Sequence, residues 1–259
     1  KGDLIVVGGR PGMGKTSFCM NVATNVAKHD NKNVVIFSLE MSSEQLVSRM
    51  ISSEAHIDSF NLRTGKLQKS DWDKIAQAAT VLSRTNIYID PHSDITPNEM
   101  KSKLRRLGNV GLVVIDYLQL MHPDVSTGNQ VQDIASITRA IKLMAKEFEI
   151  PIILCSQLSR ATDKRSGKER QPMLSDLRDS GSIEQDADIV IFIYRSDYYE
   201  NKDGEAPQEQ NSNSDYIVAQ CNVAKNRHGS PGIVQLAWVG KYFKFMSIDE
   251  NVSTDEGEN

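Results

Sequence analysis

Apolar runs recur along the chain at residues 4–7, 34–38, 87–89, 112–115, 152–156 and 189–194. They are nearly continuous rather than alternating, as expected of parallel strands covered on both faces. Helical patterns lie between them. Residues 17–28 form one such segment. Val131, Ile134, Ile137, Ile141, Met144 and Phe148 recur at spacings of three and four, a single apolar stripe on a helix of about twenty residues. Strand–helix alternation of this kind predicts a doubly wound α/β fold, a mostly parallel twisted sheet flanked by helices. The rhythm then changes. Runs at 217–222, 233–238 and 242–246 predict late strands, the last two joined through Gly240-Lys241 into an antiparallel hairpin at the sheet edge. Residues 199–215 and 251–259 are polar with little to bury, and read as a mobile segment and a frayed tail.

The first apolar run leads directly into Gly9-Arg10-Pro11-Gly12-Met13-Gly14-Lys15-Thr16, and Ser17 comes next inside the first helical segment. Strand, glycine-rich loop, Gly-Lys-Thr and helix, in that order, make a P-loop. Glycines let backbone N–H groups turn inward around a phosphate, and the helix aims its positive end at the same group. Lys15 can reach the β- and γ-phosphates, and the Thr16 hydroxyl can hold Mg²⁺. A nucleoside triphosphate is the expected ligand.

Ligands of open α/β sheets lie beyond the carboxyl ends of strands, so the residues just past each run are the candidates for chemistry. Glu40 lies just past the second run, where a carboxylate can orient and deprotonate the water attacking a γ-phosphate. A charge near the start of a helix capped by Ser42 or Ser43 is the other reading. Asp116 ends Leu112-Val113-Val114-Ile115, the arrangement in which a buried strand delivers a carboxylate to Mg²⁺. Gln157 ends the next strand, either as a γ-phosphate sensor or as an ordinary loop amide. Beyond it, residues 160–173 carry Arg160, Lys164, Arg165, Lys168 and Arg170 against Asp163 and Glu169. Such a loop is either a solvated charged surface or a grip on a polynucleotide. It contains no aromatic residue, so its contacts would be to phosphates, salt-sensitive and sequence-tolerant. Lys225 and Arg227 stand in a glycine-ended turn between two late strands, as plain surface or as an arginine finger reaching a neighbour's phosphate.

Composition adds limits. At 259 residues, 39% apolar and 25% charged, the chain suits one large α/β domain over residues 1–248, with an acidic flexible tail at 249–259. A net charge of −4 argues against a surface that is basic everywhere, but not against a few basic loops. No apolar run approaches a membrane span. Cys19, Cys155 and Cys221 are isolated in apolar segments and read as reduced core residues, which fits a cytoplasmic protein.

Together these motifs resemble the C-terminal motor domain of the DnaB-type replicative DNA helicases. The similarity runs from Gly2 to about Ile248. It is carried by 9–16, 37–42, 114–120, 156–160 and 225–229, and most specifically by Asp176-Leu177-Arg178-Asp179-Ser180-Gly181-Ser182-Ile183-Glu184-Gln185-Asp186-Ala187-Asp188. The resemblance implies a RecA-like fold assembled as a homohexamer with ATP between subunits. It makes Glu40 the catalytic carboxylate, Asp116 the second Mg²⁺ residue, Gln157 the sensor and Arg49 a further active-site arginine. Lys225 and Arg227 become the pair entering the neighbour's site, and Arg178, Asp179 and Gly181 contact single-stranded DNA in a central channel. It further implies 5′→3′ travel, a primase and a loader as partners, and an amino-terminal collar domain and linker helix not present in this chain. A RecA/RadA-type recombinase and an ATP-switched docking module are the competing readings.

Overall fold

The computed structural model describes residues 1–159, 165, 170–177, 181–198 and 216–248. Burial along the strands explains the arrangement. In β1 (Leu4–Gly9), Leu4 and Val6 point into one apolar cluster while Val7 points into another, and all three are fully buried. The same division recurs in β2 (Asn33–Ser38), β4 (Val110–Asp116) and β5 (Ile152–Gln157). Val35, Phe37, Val113, Ile115, Ile152 and Leu154 face the first cluster; Val34, Ile36, Leu112, Val114, Ile153 and Cys155 face the second. Two buried faces need two helical layers, and this is why the strands read as continuous apolar runs.

The first cluster is closed by α5 (Pro97–Leu107) through Met100 and Leu104, and by α6 (Gln130–Phe148) through Ile134, Ile137, Ile141 and Met144. The second is closed by α1 (Lys15–His29) through Cys19, Met20, Ala23 and Ala27, with Leu46 of α2 (Ser43–Ala55). β3 (Ile87–Asp90) and β6 (Ile189–Tyr194) complete the parallel part. The sheet runs β3-β2-β4-β5-β1-β6 and continues antiparallel through β7 (Ile217–Asn226), β8 (Gly232–Val239) and β9 (Lys244–Ser247). The expected mostly parallel α/β sheet with an edge hairpin is what forms.

Local departures have local causes. β7 extends to Asn226, so Lys225 pairs with Val190 inside a strand instead of standing in a turn. Tyr242 closes a 3₁₀ turn over Gly240–Tyr242, and Phe243 takes a left-handed backbone, φ 53°, before β9 begins. Two helices, α3 (Ser59–Thr64) and α4 (Lys69–Ser83), form a satellite over Ala55, Ile57 and Ala78. The segments at 199–215 and 249–259 lie outside the described residues.

Candidate functional site

The parallel strands β1, β2, β4 and β5 all end on one side of the sheet, and the ends of β4 and β5 with the segments that follow β1 and β2 line a cleft of about 460 Å³. Gly12 and Gly14 of the loop after β1 have φ of 83° and 95°, a region glycine enters without steric cost. Gly14 is also the N-cap of α1 and offers no side-chain cap, so the first amides of the helix point into the loop. Lys15 Nζ lies over the same loop, donating to Gly9 O at 2.7 Å and Arg10 O at 3.3 Å. Burial draws its ammonium below the ordinary lysine value, and Asp116 and Glu40 are among the charges that act in the opposite sense. A desolvated cation held by weak carbonyl acceptors is well placed to exchange them for phosphate oxygens.

Thr16 Oγ1 donates to Asp116 Oδ2 at 2.6 Å. This brings together the two hard oxygen ligands expected for Mg²⁺, from the helix start and the end of β4. Asp116 is buried, and its carbonyl accepts from Leu39 N at 2.8 Å, which pins the end of β2 beside that of β4. Ser38 Oγ donates to Met41 O at 2.7 Å and tightens the same turn. Glu40 therefore projects, exposed, into the cleft. The cap that the helix-charge reading of Glu40 requires is present, with Glu40 two residues ahead of it. α2 is capped by Ser42 through a reciprocal box with Gln45, and Glu44 supplies the acid of its first turn.

Arg49 of α2 also lines the cleft, its guanidinium 4.6 Å from the centre of the Phe243 ring. Burial lowers its pKa, while the Asp116 and Glu40 charges raise it. Gln157 reaches the cleft from β5. Its backbone is clasped by Gln119, whose Oε1 accepts from Gln157 N at 3.1 Å while Nε2 donates to Gln157 O at 3.3 Å and to Ser156 Oγ at 3.1 Å. Gln119 thus joins the segment after Asp116 to the proposed sensor, a role its sequence position did not disclose.

Some P-loop side chains do other work. Arg10 Nη1 donates to Leu158 O at 3.0 Å, bracing the loop on the end of β5. Met13 packs with Tyr194 and Tyr198, and Ser17 is buried. Pro11 and Gly12 form the exposed rim. Three further residues come from far along the chain. Trp238 and Phe243 give the cleft an aromatic wall, and Arg195, ion-paired to Asp197 at 2.6 Å, donates to Gly12 O at 3.3 Å with its guanidinium 5.3 Å from the Trp238 ring.

A second cavity of about 440 Å³ lies between β3 and α5. Volume does not separate the two. Of this pair, the first alone brings two carboxylates, Glu40 and Asp116, against the P-loop lysine and a helix start.

Lys225 and Arg227 stand elsewhere. Arg227 Nη1 donates to Asp188 Oδ1 at 3.1 Å and Nη2 to Gln185 O at 2.6 Å; Lys225 Nζ donates to Glu184 O at 2.5 Å. Burial, and then the adjacent Arg227 charge, lowers the Lys225 pKa. Asp188 N donates to Leu4 O, at the start of β1, whereas the P-loop begins at Gly9, its end. Five residues of strand at about 3.3 Å each separate them, about 17 Å. An arginine side chain cannot cross that distance.

Of the DNA-facing candidates, Arg160, Lys164, Lys168, Arg178 and Asp179 lie outside the described residues. Arg165 is bound to the buried Asp176 through two hydrogen bonds, at 2.9 and 2.5 Å, and Arg170 Nε donates to Arg165 O at 2.6 Å. Gly181 opens α7 (Gly181–Asp186). Among the described residues no helix is long and apolar enough to cross a membrane.

The family model of the DnaB-like helicase C terminal domain matches residues 1–247. The replicative DNA helicase DnaB of Geobacillus stearothermophilus is 47% identical over 253 residues, 96% of this chain and 53% of that protein. The replicative DNA helicase DnaC of Bacillus subtilis (strain 168) is 44% identical over the same shares of both chains. A solved ATPase domain superposes with a TM-score of 0.86 at 33% identity, over 95% of this chain and 85% of that one. A DnaB-like replicative helicase, studied with its interactions with primase, superposes with a TM-score of 0.86 at 33% identity, over 96% of this chain and 58% of that one. The chain spans about half the length of the curated relatives it matches. The convergent cleft, the matched model and these likenesses agree: the chain belongs to the family of DnaB-like helicase C-terminal domains.

Proposed function

We propose that this chain is the ATP-driven motor of a replicative DNA helicase, hydrolysing ATP at clefts between the subunits of a homohexamer. The observation that carries this reading is a division of labour within one protomer. Lys15, Thr16, Asp116, Glu40 and Gln157 converge at the carboxyl ends of the parallel strands, while Lys225 and Arg227 lie by the start of β1, beyond reach of their own cleft. A site completed by a second copy fits this geometry.

In this reading the α1 amides and Lys15 hold the phosphates, and Trp238 and Phe243 offer the nucleobase a flat apolar wall. Thr16 and Asp116 fit a Mg²⁺ ion, which supplies charge neutralisation on the phosphates. Glu40 takes a proton from the attacking water. Lys225 and Arg227 of the next subunit stabilise charge on the transferred phosphoryl group, and Gln157 relays its presence through β5 toward residues 160–173. Basic residues of that segment other than Arg165, together with Arg178, Asp179 and Gly181, grip the backbone of single-stranded DNA, and the motor travels 5′→3′. Primase and a loader are the expected partners, the former in line with the related helicase studied with primase. The recombinase and docking readings gain no support from the matched family or the relatives named above.

Turnover of ATP by the assembled protein, measured with and without single-stranded DNA across a salt series, tests this. The expected result is stimulation by the strand that fades steeply as salt rises, because phosphate contacts release counterions. A rate indifferent to the strand at every salt concentration identifies a docking module instead.

A further inference from the structure

The two cations assigned to a neighbour's phosphate rest on one short stretch of their own chain, the end of α7 and the turn into β6. Glu184 O and Gln185 O accept from Lys225 Nζ and Arg227 Nη2. Asp188 accepts twice from Arg227, at Oδ1 from Nη1 at 3.1 Å and at its carbonyl from the backbone N–H at 2.9 Å.

Asp188 is fixed on other sides as well. Its Oδ2 accepts from Leu4 N at 2.8 Å and from Lys142 Nζ at 2.5 Å. Lys142 is anchored in turn on Gly2 O at 2.8 Å. Burial pushes the Asp188 carboxyl up, but the Lys142 and Leu4 hydrogen bonds and the Lys142 and Arg227 charges outweigh it and hold the group below the usual aspartate range. It is a carboxylate at neutral pH.

The side chains of Lys142 and Asp188 are 5% and 6% exposed, whereas that of Arg227 is 47% exposed. A rigid, buried anion therefore holds one edge of an accessible guanidinium. That group has five N–H donors, and Asp188 and Gln185 engage two of them. The rest remain for an anion arriving from outside the protomer.

We propose that Asp188 is a positioning residue for hydrolysis in the adjacent subunit, setting the angle and reach at which Arg227 meets the γ-phosphate across the interface. This rests on Arg227 acting in trans. An arginine released from such a seat loses its fixed geometry, and a misplacement of about 1 Å can cost about 100-fold in rate.

Replacing Asp188 alone strands a buried ammonium, so the test uses pairs. Lys142→Met removes the buried cation and keeps the Asp188–Arg227 contact. Asp188→Asn combined with Lys142→Met removes the anion without leaving Lys142 unpaired. Arg227→Ala is the reference. All three are compared with the parent as assembled proteins, by melting temperature and by kcat and KM for ATP at saturating single-stranded DNA. The expected result is a kcat about 100-fold down in the double variant, with KM little changed, while Lys142→Met keeps most of its kcat. Equal kcat in Lys142→Met and the double variant, with Arg227→Ala inactive, overturns the positioning role and leaves the trans reading standing. Full turnover in Arg227→Ala overturns both.

Discussion

Lys15→Ala abolishes ATP turnover while the protein stays folded. Lys15 is the P-loop ammonium, already stripped of much of its water and held only by the Gly9 and Arg10 carbonyls. Binding a triphosphate exchanges those carbonyls for oxygens that gain charge as the terminal bond breaks, so the interaction is strongest in the transition state. Loss of one neutral donor at such a centre costs about 10²–10³-fold in rate, and loss of a full charge costs at least as much. The structural consequence is small, because the Lys15 side chain caps two loop carbonyls at the open cleft and packs into neither apolar core. Steady-state turnover and a thermal melt check both halves. Unchanged hydrolysis contradicts the P-loop assignment.

Arg227→Ala has a comparable effect with a different signature. Turnover of the assembled protein falls about 10³–10⁵-fold, the range for a finger supplied in trans, while affinity for ATP changes little. Binding survives because the P-loop amides and Lys15 of the adjacent subunit hold the phosphates, whereas the guanidinium acts on charge that develops in the transition state. The fold survives because Asp188 keeps Lys142 Nζ and Leu4 N as partners when the guanidinium is removed. Equilibrium nucleotide binding beside turnover separates the two quantities. A monomeric parent as active as the assembled one, and equal to Arg227→Ala, contradicts the trans role.

Much of this architecture is written in the chain in a form that local reasoning can read. Strands buried on both faces leave runs such as Leu112-Val113-Val114-Ile115, and a helix packed along its length leaves the stripe from Ile134 to Met144. The P-loop is legible because its glycines and its Lys-Thr are contiguous. Asp116 is legible because it ends an apolar strand. The satellite of α3 and α4 is not, because α4 fully buries only Ala78 and α3 nothing, so neither carries an apolar stripe. The aromatic wall escapes for another reason. Trp238 and Phe243 reach the cleft only after β8 and β9 fold back against the start of α1, where Phe245 meets Phe18 with ring centres 5.7 Å apart. Gln119 and Asp188 are polar residues whose nearest partners lie 37 and 39 positions away, and no spacing rule connects them. Arg165 shows the converse. Its place in a basic loop favours phosphate contact, yet the buried Asp176 engages its guanidinium in this chain.

The most direct measurement is release of a labelled strand from a forked duplex by the assembled protein, with either a 5′ or a 3′ tail, run with the parent and Lys15→Ala. ATP-dependent release that needs the 5′ tail and vanishes in Lys15→Ala is the expected result. Release that needs the 3′ tail, or that persists in Lys15→Ala, contradicts a P-loop motor driving 5′→3′ travel.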